Sequence, residues 1–583
     1  MQGDPLLDVK HLTVKFLNDG RETVAVDDIS FQLGTKEILG IVGESGSGKS
    51  VTALSILGLI PHPPGTVIVE AIRLTEPSGN AIRLDTFLER DLQRIRGRSI
   101  SMIFQEPMTS LNPVFTCGNQ VSETLRQHLG ISKNEARQRA LELFGEVSLP
   151  DPPRIFRSYP HELSGGQKQR VMIAIAISCN PSLLIADEPT TALDVSVQKT
   201  ILDLLKKLQQ KRNMSVLFIT HDLGLISRFA DRVVVMYQGR IVEEGEVNRV
   251  FDHPEQPYTR GLIACRPPLD VRLRRLPTVG DYMDIGHPVS GNIVVANEVK
   301  QRHQKEIVSR DERVTNHRKL YSSEPVLKVE HVGKKFTTKP DWFSREQAST
   351  RAVDDVSFFL YPGETLGIVG ESGCGKTTLS RVILQLIPAS EGRILYEDKD
   401  ITTLTRYKLK SLHKDLQIVF QDPYSSLNPR MAIGEAIREP MEVHHLHGNR
   451  HQRIEKVKEL LWKVGLTPEH YFRYPHEFSG GQRQRICIAR ALAVDPRLII
   501  CDESVSALDI SIQAQILNLL NDLKREFQLT YIFISHDLNV VKYMADRLIV
   551  MKDGKIVEMG DPDEIYINPK SEYTKLLLDA LVN

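Results

Sequence analysis

Cysteine is scarce and unpatterned in these 583 residues: six, at 117, 179, 265, 374, 487 and 501, with no C-x-x-C pair. That excludes a cysteine zinc site and a disulfide framework, and reads as reduced thiols in a cytosolic protein. Charge of either sign is not in excess, because 74 basic side chains meet 74 acidic ones. No net field draws in nucleic acid, and none is expected as a partner. Long apolar runs are also missing. LSILGLI and LLLDALV fall far short of the roughly 20 residues that cross a bilayer. The opening MQGDPLLDVKHLTVKF has neither the basic flank nor the apolar core of a secretory leader, so none is expected. If the protein works at a membrane, other chains must supply the spanning helices.

What the chain does have, it has twice. IVGESGSGKSVT at 41–52 returns as IVGESGCGKTTL at 368–379. Each string fits G-x-x-x-x-G-K-[ST], follows a β-branched run and opens a helix. In such a loop the backbone N–H groups and the positive end of the helix dipole cradle phosphates. The candidate phosphate-binding residues are Gly43, Glu44, Ser45, Gly46, Ser47, Gly48, Lys49 and Ser50. In the second copy they are Gly370, Glu371, Ser372, Gly373, Cys374, Gly375, Lys376, Thr377 and Thr378. Lys49 and Lys376 would reach the β- and γ-phosphates, and the hydroxyls of Ser50 and Thr377 would ligand magnesium.

The repeat runs well past the loops. MIFQEPMTSLNP matches IVFQDPYSSLNP, YPHELSGGQKQR matches YPHEFSGGQRQR, and LLIADEPTTALD matches LIICDESVSALD. Spacing marks a duplication. Ser164 to Glu188 and Ser479 to Glu503 are each 24 positions, and from each glutamate to His221 or His536 is 33. Lys49 to Gln105 is 56 positions but Lys376 to Gln421 is 45, and the extra 11 are expected as a surface insertion around EPSGNAIRLDTFLERD. Apolar strands such as LLIAD and VLFIT alternate with helical stretches, which argues for an α/β fold with a mainly parallel sheet covered by helices. A helix-rich span before each SGGQ reads as an inserted lobe. The expected organisation is a first ATPase domain at 1–265, a linker or extension at 266–324 and a second ATPase domain at 325–583. The middle segment, rich in proline and then in mixed charge, reads as a solvated linker, with an ordered extension packed on the nucleotide domains as the alternative.

Each half offers the parts that phosphoanhydride hydrolysis needs. Asp187 and Asp502, at the ends of apolar strands, would hold the magnesium shell, with Gln105 and Gln421 sensing metal and water. Glu188 and Glu503 would polarise the attacking water as general bases. His221 and His536 follow the next strand, where an imidazole can hydrogen-bond the γ-phosphate. Singly, each has a dull reading, since strand-end acids often cap helices and a lone histidine is usually structural. As an ordered set found twice, they point to ATP and Mg²⁺. Ser164, Gly165, Gly166 and Gln167, and likewise Ser479, Gly480, Gly481 and Gln482, present a hydroxyl and close backbone amides at a helix start. One site does not need two phosphate-binding surfaces, so a dimeric arrangement is expected.

This order of motifs resembles the ABC-type ATPases, over about 510 of the 583 residues. The resemblance implies tandem nucleotide-binding domains, each with a core parallel sheet, a small antiparallel β region and an inserted helical subdomain. It implies halves paired head to tail, the SGGQ of one closing over ATP held by the other. It also places Phe16 and Phe336 where an aromatic stacks on adenine, although either ring could equally be core. QEPMTSLNP, QDPYSSLNPR and HPEQPYTRGLIACRPP are similar to importers of peptides, opines and nickel, and among fused double forms to the glutathione-importing branch. The partners so implied are two transmembrane permease subunits and a periplasmic solute-binding protein, with the chain peripheral on the cytoplasmic face of a bacterial inner membrane. Dipeptide, oligopeptide or nickel import is the alternative, and a soluble tandem ATPase of translation or DNA repair is a more distant one. Three departures stand out. Ser504 and Val505 occupy positions where proline and threonine are usual, Val51 stands where the second loop has Thr378, and no cysteine cluster follows either half, so no iron–sulfur centre is expected.

Overall fold

A computed structural model describes residues 4–18, 20–76, 79–105, 110–190, 194–283, 307–337, 349–506 and 508–582. It has two compact units. The first takes in Met1–Leu193, Val197–Ile263 and Val279–Gly286, the second Asp194–Ser196, Ala264–Thr278 and His287–Asn583.

The first unit carries β1 (Leu7–Asn18), β2 (Arg21–Leu33), β3 (Ile38–Val42), β4 (Gly65–Ile68), β5 (Ala71–Thr75), β6 (Ala81–Arg83), β7 (Ile100–Ile103), β8 (Leu183–Asp187), β9 (Ser215–Thr220), β10 (Arg232–Tyr237) and β11 (Arg240–Glu246). One sheet runs β11-β10-β3-β9-β8-β7 and is parallel except for β11 at its edge. Every residue of β3, β8 and β9 is buried, as continuous apolar runs covered on both faces must be. The other sheet is antiparallel, β2-β1-β5-β6, with β4 also on β1. Ala53 and Ile56, on the helix Lys49–Ile56 that opens at the phosphate loop, share one apolar cluster with Leu7, Val9, Ile185 and Ile219 of the two sheets. Each of the larger aliphatic side chains contributes roughly 1.5–3 kcal/mol by leaving water. A helical lobe follows β7: Cys117–Leu129, Lys133–Glu146 and Pro152–Arg157.

The second unit repeats this plan. Its strands are β12 (Leu327–Thr337), β13 (Ser349–Leu360), β14 (Thr365–Val369), β15 (Glu391–Tyr396), β16 (Lys399–Asp400), β17 (Leu416–Val419), β18 (Leu498–Asp502), β19 (Thr530–Ile534), β20 (Arg547–Lys552) and β21 (Lys555–Gly560). They form a β17-β18-β19-β14-β20-β21 sheet and a β13-β12-β15-β16 sheet. The lobe helices are Ile433–Val443 and Arg450–Lys463.

Two expectations need correction. The 11 extra residues of the first copy do not fall in one insertion. Leu7 pairs with Leu74, 25 positions after Lys49, while its counterpart Leu327 pairs with Tyr396, 20 after Lys376. Five of the extra residues therefore precede that point, in the stretch that holds β4, which pairs with Thr13–Phe16. The other six lie in and after the β5–β6 hairpin. Nor are the described flanks of the middle segment a solvated linker. Leu273 and Leu276 are buried, and Val279–Met283 is helical. Residues 284–306 of that segment lie outside the described residues.

Candidate functional site

Sheet order builds each site. In the first unit β3, β9, β8 and β7 are neighbours, so the phosphate loop, His221, Asp187–Glu188 and Gln105 leave adjacent strand ends at their carboxyl side. The second unit brings its own loop, His536, Asp502–Glu503 and Gln421 together in the same way.

The loops turn on glycine. Gly48 and Gly375 precede their helices at φ of 100° and 105°, which a side chain rarely adopts, and a Cβ on either would strike the carbonyl oxygen of Ala25 or Ala352. The ammonium of Lys49, itself buried, donates to the carbonyls of Gly43 (2.7 Å) and Glu44 (2.8 Å). Lys376 does so to Gly370 (2.7 Å) and Glu371 (3.0 Å). The Glu44 N–H donates to the Tyr258 hydroxyl and the Glu371 N–H to that of Tyr573, at 3.2 Å each. Reading of the sequence missed these two tyrosines. The signal was the repeated Tyr-Thr pair, in PYTRG and again in EYTKL.

Behind each loop lies a charged cluster. Gln105 Nε2 donates to Glu188 (2.9 Å), and His221 Nδ1 lies 3.1 Å from the same carboxylate. Gln421 donates to Glu503 at 2.7 Å, with His536 Nδ1 at 3.6 Å and the Lys376 ammonium at 3.9 Å. Burial works against a charge on Glu503, but His536 and Lys376 outweigh it and its pKa falls below the ordinary value. Burial likewise disfavours a charged His536, and Glu503 more than offsets it, so the imidazole is held above its ordinary pKa. Both glutamates sit in the left-handed region, at φ of 47° and 49°, each with its N–H bonded to the β-strand carbonyl of Ile219 or Ile534. Strain of this kind costs on the order of 1–3 kcal/mol and clusters at functional sites. No feature of composition or spacing announces it.

The oxygen donors for a hard cation are in place. Ser50 Oγ donates to Asp187 at 3.1 Å and Thr377 Oγ1 to Asp502 at 3.2 Å. Burial raises the Asp187 carboxyl to about 6, against the opposing Ser50 bond. A buried carboxylate short of positive charge beside a hydroxyl fits magnesium, which takes few protein ligands and keeps the rest as water and phosphate oxygen. Among the described residues no three His, Cys, Asp or Glu side chains form an all-protein metal cage.

Ser164 and Ser479 cap the helices Gly165–Ile177 and Gly480–Leu492, accepting from the N–H of Gln167 (3.4 Å) and Gln482 (3.3 Å). Each glutamine returns its side-chain oxygen to the serine N–H, which closes a capping box. Phe16 is half-buried behind β4, opposite Gly65, whereas Phe336 is 46% exposed with the Lys334 ammonium 5.2 Å from its ring centre.

A family model described as ABC transporter matches residues 26–191 and again 353–506. The chain belongs to the ABC transporter family. It binds and hydrolyses ATP as the ATP-binding component of such a transporter. A second model, the C-terminal region of oligopeptide/dipeptide transporters, matches residues 242–285. Over 581 residues the chain is 46% identical to the glutathione import ATP-binding protein GsiA of Escherichia coli strain K12, covering 99% of this chain and 89% of that one. The GsiA of Shigella flexneri gives the same figures. Of solved structures, cbiO1 from Clostridium perfringens, part of the ABC transporter complex cbiONQ, aligns with 42% of this chain and 92% of its own at 26% identity, with a TM-score of 0.37. Among the described residues no helix is long and apolar enough to cross a membrane.

Proposed function

We propose that this chain energises the import of glutathione or a closely related small peptide. The observation that carries the reading is the duplicated cluster behind each phosphate loop, set within a sequence 46% identical to a glutathione import ATP-binding protein along 99% of its length. In the proposal, Lys49 and Lys376 neutralise the β- and γ-phosphates. Glu188 and Glu503 take the proton of the attacking water, and His221 and His536 orient both that glutamate and the γ-phosphate. Ser50, Asp187 and Gln105 would hold magnesium in the first half, and Thr377, Asp502 and Gln421 in the second. When bound, the cation supplies charge neutralisation on the phosphate oxygens. The serine hydroxyls and helix-start amides of Ser164–Gln167 and Ser479–Gln482 offer a second anion-binding surface. Phe16 and Phe336 remain the proposed adenine platforms, with Phe336 the more accessible.

On this reading two permease subunits carry the solute across the membrane, a periplasmic solute-binding protein delivers it, and the ATPase sits on the cytoplasmic face. Solute choice then lies outside this chain. Uptake of labelled glutathione by intact cells, wild type against Lys49→Ala with Lys376→Ala, tests the proposal. Loss of uptake in the double variant supports it. Uptake equal to wild type removes glutathione and sends the question to dipeptides, oligopeptides and nickel.

A further inference from the structure

The stretch that joins the two ATPase repeats, whose start lies in the region matched by the oligopeptide/dipeptide transporter C-terminal model, makes a set of contacts with the second unit. Residues 269–276 lie along the helices Ile510–Phe527 and Leu538–Met544 of the second unit. Asn518 grips the backbone of Leu276 from both sides: its oxygen accepts from the Leu276 N–H and its amide donates to the Leu276 carbonyl, each at 2.8 Å. Tyr543 spans the same place, its hydroxyl 3.2 Å from Asn518 Oδ1 and 3.3 Å from the Arg274 carbonyl. Lys542 donates to the Leu269 carbonyl, and Arg272 Nη2 donates to that of Ala545, which ends the helix. The stretch is itself pinned. Arg272 accepts through its carbonyl from the Val308 N–H (2.8 Å), and Leu273 bridges Ile307.

Lys542 and Tyr543 on one short helix, and Ala545 at its C-terminal cap, are thus tied to the strap. That helix starts at Leu538, capped by Asp537, directly after His536. A seven-residue helix has little stability of its own and takes its position from what it packs on.

We infer that residues 269–276 form a strap that positions His536, with Arg272 and Asn518 as positioning residues for ATP hydrolysis in the second unit. This rests on the reading of His536 as the group that meets the γ-phosphate. The strap's bonds to Asn518, Lys542, Tyr543 and Ala545 lie on the two helices and not on the phosphate loop, so it should act on turnover and not on nucleotide binding.

The test is a double-mutant cycle on ATP turnover by the full chain, with Arg272→Met, Arg272→Lys, His536→Ala and Arg272→Met with His536→Ala, joined to hydrogen exchange over residues 538–545. Arg272→Met keeps the bulk and removes the donors. It should lower kcat about three- to tenfold with KM for ATP unchanged, because small displacements of an aligned group are costly. Arg272→Lys should recover most of that loss. The double variant should be no slower than His536→Ala alone, since the strap acts through that residue. An unchanged kcat for Arg272→Met, or losses that simply multiply, would overturn the inference. If His536→Ala turns over at the wild-type rate, the role assigned to His536 falls, and with it the positioning. Exchange then reports on the strap separately: faster exchange across 538–545 in Arg272→Met upholds its grip on the helix, and unchanged exchange removes that as well.

Discussion

The phosphate loop of the first unit allows strain and crowding to be measured apart. In Gly48→Ala the new methyl carbon lands 2.6 Å from the Ala25 carbonyl oxygen and 3.2 Å from Val26 Cγ2. Its backbone stays at a φ of 100°. Holding an L-residue in a left-handed conformation costs roughly 1–2 kcal/mol, and forcing a methyl into filled space roughly 1–3 kcal/mol more. Gly46 is the control. Its φ is 80°, yet no atom lies within 4 Å of an added Cβ. Gly46→Ala should therefore cost about 1–2 kcal/mol and Gly48→Ala about 2–5 kcal/mol. A difference of about 2 kcal/mol, at roughly 2–4 °C per kcal/mol for a unit of this size, separates the melting temperatures by about 4–8 °C. Calorimetry of the three full-length chains reads that gap directly. Equal melting temperatures for the two variants would refute the steric argument, because they would mean that the Ala25 carbonyl yields at no cost.

Two further outcomes follow from the site and the core. Replacing both hydroxyls proposed to hold magnesium, Ser50→Ala with Thr377→Ala, should raise the magnesium concentration for half-maximal turnover several-fold. A magnesium titration that superimposes on wild type would take these hydroxyls out of the cation's shell. Burial pushes the Cys487 thiol up to about 11. The unfolded thiol ionises first, so its contribution to stability is whole below about pH 9 and drains away as pH climbs toward 11. The loss is at most about 1.4 kcal/mol per pH unit. Urea midpoints between pH 8 and 10 should fall less steeply for Cys487→Ala, and parallel slopes would contradict the assignment.

Much of this was legible in the sequence because the chain supplies its own comparison. Lys49 with Lys376, and Glu188 with Glu503, are found by matching strings and equal spacing, and the sheet then delivers them to neighbouring strand ends. What stayed hidden depends on contacts distant in sequence. The left-handed backbone of Glu188 and Glu503 is set by carbonyls of the adjacent strand, at Ile219 and Ile534. Polar and proline-rich composition suggested solvation for residues 266–278, but side chains more than 240 positions away, those of Asn518, Lys542 and Tyr543, satisfy that backbone. The extra length of the first copy looked like one insertion because spacing between motifs counts residues without saying where they lie. Strand register divides them around β5. In SGGQ, the serine and glutamine read as phosphate-facing are also the two members of a capping box, a role their spacing of three equally announces.

The paired glutamates are the proposed bases of ATP hydrolysis, and one measurement reaches them directly. Glu188→Gln with Glu503→Gln keeps size and hydrogen bonding but removes both carboxylates. The full chain carrying both substitutions should retain bound ATP through isolation while turnover falls at least about a hundredfold, the scale of a lost general base. Turnover at the wild-type rate would contradict the claim and place the base elsewhere.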